Sequence, residues 1–139
     1  MSSTRRGRTG GAEHGQDLVE YALALPMLLV LILAIMEGGV LVMRYNTVAN
    51  AAREGARAGL LPATAACNLA CRDGRASAAA LALTEGLDQS AIQVDVNSSD
   101  VMVSVEVRYQ SPLITAPLAA LAGGDGIVEL RSVTTMQRE

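Results

Sequence analysis

The feature that most constrains this chain of 139 residues is a run of apolar side chains near its start. Residues 21–36 carry no charge, and the stretch stays mostly apolar from Leu18 to Met43, interrupted by Glu20, Pro26 and Glu37. On a helix, Glu20 and Glu37 lie ~25 Å apart at 1.5 Å per residue. That is slightly less than the ~30 Å hydrocarbon core of a bilayer. The two carboxylates therefore bracket a membrane span, and one proline is tolerated inside such a helix. The run could otherwise be the buried helix of a soluble protein, but the rest of the chain is too short to cover it on all sides.

Composition narrows the choice further. Half of the residues are apolar, yet only 2% are aromatic: three Tyr, no Phe and no Trp. Ala, Val and Leu must build the core. Every basic residue is Arg and the net charge is −3, the wrong sign for a polyanion partner, so no nucleic acid is expected. His14 is the only histidine, and Cys67 and Cys71 are the only cysteines. A histidine-based triad or a four-ligand metal site cannot be assembled from that inventory. We expect no enzyme activity, no metal and no cofactor.

Three segments follow. Residues 1–15 are Gly- and Ser-rich with Arg5, Arg6 and Arg8, and should be disordered. Residues 16–60 read as one extended helix, its first half in lipid and its end at Pro62. Within it, Ala51, Gly55 and Gly59 form a small-residue stripe that permits close backbone approach. Residues 61–139 form a small α+β head. Ala76, Ala80, Leu83 and Leu87 mark a helix that stops near Gly86. Ile92, Val94 and Val96, then Val101, Val103, Val105 and Val107, alternate with polar residues around the turn Asn97-Ser98-Ser99-Asp100, predicting a β-hairpin with one buried face. A Pro- and Gly-punctuated connection with a short helix near residues 117–122 leads to a third strand over residues 127–136. The expected fold is a long N-terminal transmembrane helix followed by a helix packed on an antiparallel sheet of about three strands.

The junction Gly15-Gln16-Asp17-Leu18-Val19-Glu20-Tyr21 carries the sharpest motif. A short basic leader, Gly, four residues, Glu and an aromatic precede a Leu-rich helix with Leu25-Pro26. Glu37 and then Ala51-Ala52-Arg53-Glu54-Gly55-Ala56-Arg57 follow. Over residues 15–57 the chain resembles the TadE-like minor pilins, or pseudopilins, of the Tad (Flp) branch of type IV pili. The major Flp pilins are short helices, so a head of this size favours the TadE-like class. The resemblance implies cleavage by a prepilin peptidase between Gly15 and Gln16, where a glycine lets the backbone extend into the protease. It also implies that Glu20 meets the new N-terminal ammonium of an adjoining pilin. Such a pair is strong in low dielectric only when both charges are matched, which makes it a registration device. Glu20 among lipid headgroups is the plainer alternative. Tyr21 is the aromatic of the motif.

Other residues admit two roles each. Glu37 lies at the outer membrane interface or joins subunits, and Gly38-Gly39 either loosens the helix or packs. Arg53 and Arg57 form a solvated face or a docking stripe for an acidic neighbour. Cys67 and Cys71 form a disulfide closing a small loop, the mark of an extracytoplasmic head, or half a metal site. Arg5, Arg6 and Arg8 before the span are matched by Arg44, Arg53 and Arg57 after it, so charge alone does not orient the chain. The resemblance and the cysteine pair place the leader inside and the head in the periplasm or outside.

The expected function is structural: a minor pilin that assembles or primes a Tad pilus used in surface adhesion. The resemblance implies as partners the prepilin peptidase, other major and minor pilins, Tad platform proteins and their assembly ATPase, inner-membrane lipid and, in diderm bacteria, a secretin. The competing class is a binding module, either anchored without processing or secreted after cleavage near Ala49-Asn50-Ala51.

Overall fold

The computed structural model describes residues 13–61, 67–99, 101–121 and 123–137, without the side chains of residues 13, 14 and 16. Most of the expected leader lies outside the described residues, as do Pro62, Asp100 and Ala122. Helix α1 runs Glu13–Gly59 with Pro26 inside it. It begins upstream of Gln16 and takes in His14 and Gly15. Extending an existing helix fixes one residue per hydrogen bond, which is far cheaper than nucleating one.

The chain divides into two compact units, one ending at Met36 and the other Glu37–Glu139. In the first, no residue from Asp17 to Met36 is buried. Leu, Ile, Val and Met side chains stand out on every face, a pattern consistent with a membrane anchor or a signal segment. In the second, the boundary lies inside α1, so the last part of the helix belongs to the head. Val48, Ala51, Ala52 and Ala56 are fully buried there.

The rest of the head is α2 (Leu69–Ala82), a 3-10 turn at Gln89–Ala91, β1 (Ile92–Ser98), β2 (Met102–Pro112), α3 (Ala116–Leu121) and β3 (Ile127–Gln137). The three strands form one antiparallel sheet in the order β1-β2-β3, with Val94 opposite Val107 and Val107 opposite Ser132. Val103, Val105, Val107, Tyr109 and Ser111 of the central strand point into the core, as a side-chain period of two dictates. Val101 falls outside the strand and is exposed. The core joins this face to the last third of α1 and to Ala76 and Ala80 of α2.

The buried face of α2 differs from the expected stripe. Arg72, Ala76 and Ala80 are its buried residues, Leu83 is the exposed C-cap, and Leu87 packs on the core only after the helix has ended. The cause is close approach. A Cβ on Gly55 would lie 3.0 Å from the Ala76 carbonyl oxygen and 3.1 Å from Ala80 Cβ. Alanine fits that spacing and leucine does not. The small-residue stripe of α1 thus serves contacts within the head.

Candidate functional site

The candidate assembly segment begins at Gly15, which is helical and exposed with open space around it. Its backbone is part of α1 here, so the extension that cleavage would need unwinds the first turns of that helix. Gln16 follows in the same helix. Asp17, Glu20, Tyr21 and Ala24 line one depression on the helix surface, because positions i, i+3, i+4 and i+7 share a face. Glu20 and Tyr21 are exposed. Among the described residues, Glu20 has no hydrogen-bond or ion-pair partner, so its carboxylate is open to a group from another molecule. Next along the helix, Ala24, Met27, Leu28, Val30, Leu31 and Ala34 line an apolar depression suited to lipid or another helix.

Glu37 has a partner within the chain. It is 8% exposed, and its carboxylate accepts from Thr115 N–H at 3.2 Å and from the Thr115 hydroxyl. Seven residues on, Arg44 Nη1 donates to Ser111 Oγ at 2.6 Å and to the Pro112 carbonyl at 3.1 Å. Two turns of α1 thereby hold the end of β2 and the loop that follows it. Among the described residues, a Cβ on Gly38 or Gly39 would meet nothing within 4 Å. Arg53 is exposed, and the exposed Arg57 donates to both oxygens of Glu54 at 2.9 and 2.7 Å. A surface pair of this kind contributes ~0.2–1 kcal/mol. Glu37 and Arg53 share α1 but lie ~24 Å apart along it and form no common site.

Cys67 and Cys71 are bonded, with Cα atoms 5.3 Å apart. Asn68 between them is the N-cap of α2 and accepts from Cys71 N–H at 3.0 Å. The bridge therefore joins the residue before the cap to the first turn, close to where a hydrophobic staple would sit. Arg75 Nη2 donates to Cys67 Sγ at 3.3 Å. Among the described residues, no cluster of three His, Cys, Asp or Glu could hold a metal.

Three arrangements escaped the sequence. Arg72 is 2% exposed, and its Nη2 donates to the Gly59 carbonyl at 3.1 Å. That places a cation on a carbonyl at the negative end of α1. The Glu37–Thr115 and Arg44–Ser111 contacts join residues far apart in the chain. The available signal was Thr115 itself, a polar side chain in an otherwise apolar loop. On the outer sheet face, Arg131 and Arg108 both donate to Glu106 at 2.5 Å. They hold its carboxyl at about 2, well below the usual carboxylate range. Register could have found this group, since Glu106 neighbours both arginines once the strands pair.

Against known proteins, residues 15–57 match the family model of TadE-like protein. No curated protein and no solved structure matches the chain.

Proposed function

We propose that this chain, a member of the TadE-like family through residues 15–57, is a processed minor pilin that helps assemble or prime a Tad pilus. The observation that carries the proposal is the coincidence of the family match with an α1 segment whose apolar side chains are unburied from Asp17 to Met36. Before assembly that segment sits in the cytoplasmic membrane, leader inside and head outside. In the fibre it packs against the helices of other pilins. Among the described residues Glu20 has no partner, and after cleavage at Gly15–Gln16 it pairs with the ammonium of a neighbouring subunit. The work is positional and not catalytic. The partners are the prepilin peptidase, the other pilins, the platform proteins with their ATPase and, in a diderm envelope, the secretin. Adhesion to surfaces would follow from the fibre.

The head argues against the secreted alternative. Cleavage near Ala51 would cut α1 where Ala51 and Ala52 are fully buried in the core, and would discard Val48 with the fragment. The test is intact mass with N-terminal sequencing of membrane-extracted protein, from cells with and without the prepilin peptidase. A peptidase-dependent start at Gln16 is expected. A start near Ala52, or an uncut chain in both strains, would end the pilin reading.

A further inference from the structure

Between Arg108 and Asp125 the chain has no charged residue, and α3 lies in this stretch without burying any of its side chains. Ile114, Leu118 and Leu121 are 64%, 45% and 85% exposed. Leu118 and Leu121, three apart, share one face of α3, and Ile114 stands in the turn just before the helix. The exposure does not come from slack chain. Leu113 N–H donates to the Gly126 carbonyl at 2.9 Å, and Gly124 N–H donates to the Ala119 carbonyl at 2.9 Å. Gly126, at φ 67°, lies so close to Ala116 that a Cβ there would fall 2.6 Å from Ala116 Cβ. Water-facing aliphatic side chains add nothing to folding, and a held patch of them marks an interaction surface.

What covers the patch follows from where the loop is fastened. Thr115 donates twice to Glu37, and Ser111 and Pro112 accept from Arg44. Glu37 follows directly on the uncharged run 21–36, which is the stretch read as hydrocarbon-spanning. Val42 and Met43, between the two anchor points, are exposed and apolar as well. We propose that Ile114, Leu118 and Leu121 form a membrane foot that inserts into the headgroup–acyl boundary of the bilayer where α1 leaves it. Helices that lie in this interface bury their apolar face ~5–10 Å deep. The same contact explains why Glu37 is covered: a carboxylate at the hydrocarbon edge is costly unless its oxygens are satisfied by the protein. The patch carries no cation, so its attachment should be indifferent to anionic lipid and to salt. The inference rests on α1 being a membrane span.

The chain has no Trp, so one introduced indole reports one place. The full-length protein would be reconstituted in phosphatidylcholine vesicles with and without brominated acyl chains, as L29W, L121W, L118W or V133W. Leu29 lies in the span, and Val133 is exposed on β3. Emission from L29W, L121W and L118W should be strongly quenched by the bromines, and that from V133W should not. Unquenched L29W would remove the span and the foot together. Quenched L29W with unquenched L121W and L118W would overturn the foot alone. A blue-shifted but unquenched L121W would assign the patch to a neighbouring protein.

Discussion

Glu106 lies between two guanidinium groups on the solvent side of the sheet, and its carboxyl is pulled down to about 2 by the hydrogen bonds from Arg131 and Arg108. A depressed carboxylate stabilises the fold above its unfolded value, and the contribution disappears as pH falls through the folded value. The melting temperature of the full chain in detergent should therefore decline between about pH 4.5 and pH 2. Glu106→Gln should lose stability near neutrality and show a shallower decline; parallel curves would sink the assignment. High salt should weaken the effect, because the pair is only partly shielded from water. Glu20 calls for a different readout. Glu20→Ala removes a carboxylate without a described partner in the chain, so peptidase cleavage should proceed while fibres counted by electron microscopy disappear. Normal piliation would eliminate the ammonium pairing.

At the scale of elements, glycine has opposite meanings in the two head helices. Gly74 in α2 has open space where a Cβ would go, so Gly74→Ala should stabilise by about 0.5–1 kcal/mol through helix propensity alone. Gly55 in α1 would place its Cβ 3.0 Å from a backbone carbonyl, 3.1 Å from Ala80 Cβ and 3.2 Å from Val105 Cγ1. Overpacking of that kind costs about 1–3 kcal/mol, which exceeds the same propensity gain. Gly55→Ala should thus lower the melting temperature while Gly74→Ala raises it. Equal shifts in the same direction would show that α1 and α2 are less tightly seated than the contacts require. Valine opposite the glycines cannot easily turn aside, because its branched Cβ restricts χ1.

For the molecule as a whole, the unit Glu37–Glu139 holds the core described here. A fragment starting at Glu37 should fold cooperatively without lipid. A fragment starting at Leu61 should not, because it loses Val48, Ala51, Ala52 and Ala56, all with 0% exposure in the intact head. Burying a valine alone is worth about 1.5–3 kcal/mol, a large part of the stability of a small domain. Circular dichroism and thermal melts of the two fragments decide the matter, and a folded 61–139 fragment would refute this account of the core. One helix thus changes character along its length: uncharged and unburied over residues 21–36, with a buried face from Glu37 onward.

The sequence by itself determined the local periodic structure. A mostly apolar run from Leu18 to Met43 long enough to span a bilayer, alternating valines in β1 and β2, and the motif from Gly15 to Tyr21 are legible because each repeats or closes locally. The third strand and the short helix near Pro117 were legible for the same reason. Only the tertiary structure decided which residues those elements hold. Thr115 reaches Glu37 across 78 positions and Arg44 reaches Ser111 across 67. Arg72 became a buried cap on α1, and Ala51, Gly55 and Gly59 became part of the head core. Leu83 was left outside, because α2 ended at Ala82 and came too close to α1 for a leucine face. A local pattern fixes which way a side chain faces on its own element, but its partner depends on how distant elements pack, and that is set by the fit of the whole core.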